Sequence, residues 1–212
     1  MTAILSEATR QRDLIVAAGK SIFDRGLTAG STGNISVRLA DGTMLMTPTN
    51  ASLGSLDPGR LSLVDTDGQH LSGDKPTKEA FLHSCMYCER DADHAVVHLH
   101  STHAVAVSIL DGVDPRDVLP PLTAYYVMRV GRLPLVPYYA PGDKDLALAV
   151  KAEAGRHHAV LLANHGPVVS GKTLAEAQYA VEELEETARL HLLLHGRAIR
   201  PLTAEQADAL RK

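Results

Sequence analysis

The run Ala95-Val96-Val97-His98-Leu99-His100 constrains this chain most, because it sets two imidazoles on one face of an apolar β-type segment. Side chains alternate along a strand, so His98 and His100 point the same way, about 6.5 Å apart along it. A single metal ion can bridge such a pair. A third histidine, His165, closes a second apolar run, Leu161-Leu162-Ala163-Asn164-His165-Gly166, and a carboxylate, Glu79, follows the Gly/Lys/Pro-rich segment 72–78. Three neutral imidazoles that leave one position open suit a catalytic Zn²⁺ or another borderline divalent metal, with Mn²⁺ and Co²⁺ also open. The chain has 11 histidines, and most need do no chemistry. His70, His94, His157, His158, His191 and His195 lie beside charged residues, in turns or on helix faces and read as solvated; His83 and His103 are nearer the site but have no independent claim.

With 212 residues, 45% of them hydrophobic, the chain is long enough for one domain, 1–212, with a sizeable core. A formal charge of -4 offers no basic field for nucleic acid, and the expected partner is a small molecule. Cys85 and Cys88 are the only cysteines, which fits a reducing cytoplasm. They form a Cys-x-x-Cys pair inside a helical pattern with no second pair, and read as buried thiols rather than a redox or metal site. Leu5, Ala8, Leu14, Ile15, Ala18 and Ile22 recur near helical spacing among charges, so the N-terminal segment reads as an amphipathic helix and not a targeting signal. No apolar run reaches the roughly 18 residues of a membrane span, and the expected location is the cytoplasm.

The first helix is predicted to start after Ser6 as N-cap and to stop at Gly26. A glycine-rich loop, Gly30 to Asn34, leads into a strand at 35–38, an Asp41-Gly42 turn and a return strand at 44–47. A second hairpin is predicted around Asp67-Gly68. Pro76 suits the first turn of a helix running to about Arg90, with Glu79 in that turn. A helix from about His103 to Leu110 follows the histidine strand. The stretch 125–136 reads as two short strands or as a short helix and a strand. Asp143 caps a helix to about Arg156, two strands surround Asn164-His165-Gly166, and capping boxes at Thr173/Glu176 and Thr203/Gln206 open the last two helices. The long helix from Thr173 carries an apolar face of Val181, Leu184, Ala188, Leu192 and Leu194. Hairpins of this kind imply an α/β domain with a largely antiparallel sheet.

Gly33-Asn34, Thr47-Pro48-Thr49, Pro76-Thr77-Lys78-Glu79, Val97-His98-Leu99-His100 and Asn164-His165-Gly166, in this order and spacing, resemble the class II aldolase/adducin family. The likeness covers nearly the whole chain. It implies a three-layer αβα sandwich with a mainly antiparallel central sheet, a zinc site near a subunit interface and a homotetramer. Within the family, Leu71 to Pro76, Val127-Met128-Arg129, Pro137 to Lys144 and Glu182 to Thr187 look most like the 3-oxo-tetronate 4-phosphate decarboxylases.

A metal on the three histidines stabilises the negative charge that develops when a carbon–carbon bond breaks beside a carbonyl. The same dihydroxyacetone-phosphate enediolate follows whether CO₂ leaves a 3-oxo acid or an aldehyde leaves in a retro-aldol cleavage, so the ligands alone do not separate the two. The resemblance implies Glu79 as general acid/base and as a fourth metal ligand before substrate enters. It implies Tyr125, or Tyr126 one register away, as a tyrosine reaching the site from a neighbouring subunit. It places Gly33, Asn34, Thr49, Asn50, Thr77 and Lys78 around a substrate phosphate. Related aldolases carry small hydroxyl residues where this chain has Thr77-Lys78, and the added charge of Lys78 favours the decarboxylase over a fuculose- or ribulose-phosphate aldolase. An epimerase, a dehydratase and a non-catalytic adducin-like module are the remaining alternatives.

Overall fold

The computed structural model describes residues 2–140 and 143–211. One eight-stranded sheet forms the middle of the domain, in the spatial order β4-β3-β2-β1-β5-β8-β7-β6. Its strands are β1 (Asn34–Arg38), β2 (Met44–Met46), β3 (Ser62–Val64), β4 (His70–Ser72), β5 (Ala95–His98), β6 (Leu135–Val136), β7 (Ala159–Leu162) and β8 (Gly166–Gly171). Every pairing is antiparallel except β6 with β7. The helices are α1 (Thr2–Asp24), α2 (Ala80–Glu89), α3 (Thr102–Ile109), α4 (Ala124–Arg129), α5 (Lys144–Ala154), α6 (Leu174–Leu193) and α7 (Ala204–Leu210).

Strand alternation sorts the core into two layers. Ile35, Val37, Leu45, Val97, Leu161 and Val169 pack with α1, α3 and α6 on one face. Met44, Met46, Val96, Val160, Leu162 and Val168 meet α2 and α5 on the other. The result is the three-layer αβα arrangement, because β2, β5, β7 and β8 carry apolar residues at both parities and must be covered twice. His98 shares the parity of Val96, so it lies on the α2 side. Among the described residues no helix is long and apolar enough to cross a membrane.

Several local expectations are corrected. The first helix already starts at Thr2, ahead of Ser6, since residues 3–5 contain no helix breaker. Its buried stripe is Ile15, Ala18 and Ile22, and Leu14 stays 41% exposed one step off that stripe. Pro76 does not open a helix. It forms an isolated bridge with Pro48, held by Thr49 N–H to Lys75 O (2.9 Å) and Thr77 N–H to Thr47 O (3.3 Å), and α2 begins only at Ala80 with Glu79 as its N-cap. Residues 124–129 form a helix, with the Thr123 hydroxyl accepting from Tyr126 N–H, and only Leu135–Val136 pair as a strand. Thr173 caps α6 as expected, but Glu176 accepts from Lys172 N–H instead of completing the box at Thr173. The Thr203/Gln206 box is complete. Cys85 is partly buried and Cys88 is exposed, so the second thiol is not a core residue. Pro141 and Gly142 of the Pro137–Lys144 string lie outside the described residues.

Candidate metal centre

His98 is the last residue of β5, the strand between β1 and β8, and is fully buried. Its Nδ1–H donates to the Pro167 carbonyl at 2.8 Å, which leaves the Nε2 lone pair directed away from the backbone. His100 stands just past the strand, before Ser101 turns the chain into α3. His165 comes from the three-residue turn joining β7 to β8, where Leu162 pairs with Gly166. Asn164 takes a left-handed φ of 58° there, and its N–H donates to Ser108 Oγ at 3.0 Å, tying the turn to α3.

The three Nε2 atoms converge. His100 Nε2 lies 3.2 Å from His98 Nε2 and 3.1 Å from His165 Nε2. Glu79 closes the group, with Oε1 3.0 Å from His165 Nε2 and Oε2 3.5 Å from His98 Nε2. All four donor atoms fall within 4.8 Å of one another. Nitrogens held about 2.0–2.1 Å from a tetrahedral ion sit roughly 3.3 Å apart, so the imidazole spacings fit a divalent metal.

The electrostatics agree with a ligand set. Burial drives the His98 pKa well below the ordinary histidine range, against the attraction of Glu79, and the ring is neutral with its lone pair free. Burial, then repulsion from His165, lowers His100 in the same direction. Burial on its own pushes the Glu79 carboxyl up, but its hydrogen bonds to His165 and to the Asn34 amide hold it below the usual carboxylate range. The side chain of Glu79 makes no capping hydrogen bond to α2. Its carboxylate is spent on the histidines and on Asn34 Nδ2–H, at 2.7 Å.

A family profile described as Class II Aldolase and Adducin N-terminal domain matches residues 13–192. The chain belongs to the class II aldolase/adducin family. The 3-oxo-tetronate 4-phosphate decarboxylase of Escherichia coli K12 is 51% identical over 200 residues, covering 94% of each chain. The L-fuculose phosphate aldolase of Haemophilus influenzae is more distant, at 35% over 190 residues, covering 87% of this chain and 84% of the relative. The crystal structure of YgbL from Escherichia coli superposes with a TM-score of 0.95 at 49% identity, covering 97% of this chain and 99% of that one.

Of the other residues that the class II aldolase resemblance pointed to, Gly33, Asn34 and Thr77 touch the residues of the donor cluster. Gly33, with φ +79°, lies against the His98 carbonyl, where a Cβ would come within 3.0 Å. Thr47 N–H bonds to Ile35 O, and the antiparallel Pro48–Pro76 bridge sets Thr47 opposite Thr77 and Thr49 opposite Lys75. Thr77 is buried with its hydroxyl accepting from Glu79 N–H, whereas Lys78 is exposed. Tyr125 is 62% exposed on α4, beside Arg129. Tyr126 is 1% exposed in the core, so of the two tyrosines only Tyr125 is free to reach another chain. His83 was missed: it is fully buried and bonded to Asn34. Its signal was its place one helical turn after Glu79. The 750 Å³ cavity between α1 and the start of α6 contains none of the four donors.

Proposed function

We propose that this chain decarboxylates a 3-oxo-tetronate 4-phosphate to dihydroxyacetone phosphate and CO₂. The observation that carries the reading is the gap between relatives: about half identity over 94% of the chain to decarboxylases, against about a third to fuculose phosphate aldolases. Zn²⁺ is the proposed resident ion on His98, His100 and His165, with Mn²⁺ and Co²⁺ as the alternatives, and Glu79 as a further ligand before substrate enters. A divalent ion there supplies Lewis acidity at the ketone oxygen. The bond that breaks is C1–C2, and its electron pair passes toward the C3 carbonyl as CO₂ departs. C2 then takes a proton from Glu79. One proton is taken up from solvent per turnover, and Glu79, ionised at rest, must acquire it before donating it.

Backbone amides at Gly33 and the amide and hydroxyl groups of Asn34, Thr49, Asn50 and Thr77, with the Lys78 ammonium, form the proposed phosphate site. The Asn34 side chain brings one remaining N–H to it, since its oxygen and its other N–H are engaged inside the protein. Tyr125 is proposed to complete the site of a neighbouring copy in a homotetramer, and the cytoplasm is the proposed location. The test is CO₂ release from D- and L-3-oxo-tetronate 4-phosphate, their unphosphorylated forms and fuculose 1-phosphate. The expected result is CO₂ from a phosphorylated 3-oxo acid, with a kcat/KM far above that of the unphosphorylated acid because remote binding energy orients the breaking bond. Aldehyde from fuculose 1-phosphate with no CO₂ from any 3-oxo acid overturns the reading.

A further inference from the structure

Glu79, His83 and Tyr87 stand at intervals of four residues along the N-cap and body of α2, which puts them on one helix face. Asn34, Ser36 and Arg38 stand at intervals of two along β1, on one sheet face. Where α2 lies on the sheet these two stripes interlock like a zip. Glu79 Oε2 accepts from Asn34 Nδ2–H at 2.7 Å, and Asn34 Oδ1 accepts from His83 Nε2–H at 2.5 Å. His83 Nδ1 lies 2.7 Å from Ser36 Oγ, and Ser36 Oγ lies 2.8 Å from the Tyr87 hydroxyl. Arg38 ends the series, its guanidinium 5.0 Å from the centre of the Tyr87 ring.

Four polar side chains are thus placed in a largely apolar helix–sheet interface. His83 and Ser36 are fully buried, and Asn34 and Tyr87 are each 4% exposed. Unpaired, such groups would be costly in that medium, and here each has its partners. The polarity of the chain is also determined from one end. An ionised carboxylate only accepts, so the Asn34 amide must turn its NH₂ toward Glu79 and its oxygen toward His83. That oxygen requires a proton on His83 Nε2. Burial lowers the His83 pKa to about 4, leaving the ring neutral with an accepting Nδ1, to which Ser36 O–H donates while Tyr87 O–H donates to Ser36.

We propose that His83, acting through Asn34, is a positioning residue for Glu79: its Nε2–H locks the Asn34 amide in the orientation that anchors Oε2 and leaves Oε1, facing the histidines, to carry the proton. Without that donor the amide is free to present its oxygen to the carboxylate, and Glu79 loses its anchor. The inference rests on the decarboxylase reading only for the activity arm of its test.

The test compares His83→Gln with His83→Asn in the metal-loaded protein. Glutamine places an amide N–H near the position of Nε2, whereas asparagine reaches only the position of Nδ1. The expected result is that His83→Gln keeps kcat within about threefold of wild type and His83→Asn loses about 10–100-fold, the usual range for a partner of a site residue, with KM and metal content unmoved in both. A second readout needs no substrate: hydrogen exchange of the Asn34 side-chain amide, assigned by NMR as the pair absent from Asn34→Asp. It should be slow in wild type and His83→Gln, and fast in His83→Asn. Equal kcat losses in both variants, no loss in either, or equally slow amide exchange in both overturns the inference. If the wild-type protein releases no CO₂ from any 3-oxo acid, the decarboxylase reading fails and the exchange pattern alone decides the role of His83.

Discussion

Replacing Gly166 with alanine should separate the turn that carries His165 from the segment that carries the other two histidines. Gly166 has φ +149°, and a Cβ built on it falls 2.1 Å from the Leu99 carbonyl oxygen, where real Cβ atoms essentially never come within 3.0 Å. The two segments must therefore part by about 1 Å. That movement pulls on the Leu99 N–H bond to Pro167 O (3.2 Å) and on the His98 Nδ1–H bond to the same carbonyl (2.8 Å). Weakening these bonds at about 0.5–1.5 kcal/mol each, with backbone strain of about 1–3 kcal/mol, gives a loss of about 4 kcal/mol. For a chain of this size that lowers Tm by roughly 8–16 °C. Because the collision opens the ligand set, Tm should fall further in the metal-loaded protein than in the chelator-stripped one, and metal affinity should drop at least tenfold, about the loss seen when a ligand's support is removed. Calorimetry of both states and elemental analysis after chelator competition provide the measurement. Gly112→Ala is the control: its φ is +78° but nothing lies within 4 Å of the added Cβ, so it isolates backbone strain from collision. A Gly166→Ala protein with wild-type metal retention and a Tm within about 2 °C of wild type refutes the reasoning.

Glu79→Gln should keep fold and metal while lowering turnover by roughly 10² or more, the scale of a lost general acid/base, and near-normal turnover at saturating substrate would remove Glu79 from that role. His98→Ala/His100→Ala should abolish the one metal ion expected per chain; elemental analysis finding full occupancy would refute the ligand assignment. His83 binds no proton in the native state until about pH 4, whereas in the unfolded chain it does so below pH 6.5. Native stability should therefore decline as pH falls through that window, by up to about 3 kcal/mol from this group. In the chelator-stripped protein His83→Gln should show a correspondingly flatter decline, His98 and His100 being common to both; identical pH slopes would refute the buried neutral assignment.

His98, His100 and His165 were legible in the sequence as candidate donors because the features that present them are local. Strand parity places His98 and His100 together, and a turn between two apolar runs presents His165, before any long-range packing is known. The same holds for the hairpins and for the Asp143, Thr173 and Thr203 caps, where neighbouring side chains satisfy the backbone. Pro76 was misread because a proline is equally at home in an extended bridge, and its partner Pro48 lies 28 residues away. Which of Tyr125 and Tyr126 is exposed depended on the facing of α4, which the sequence of a short helix does not give. The Glu79–Asn34–His83–Ser36–Tyr87 series was beyond sequence reading for a related reason. Each stripe is visible in its own period, 3.6 for the helix and 2 for the strand, but neither period says which strand a helix covers or at what height. Only the packing of α2 on the sheet brings the two periods into step and turns separate polar residues into one connected chain.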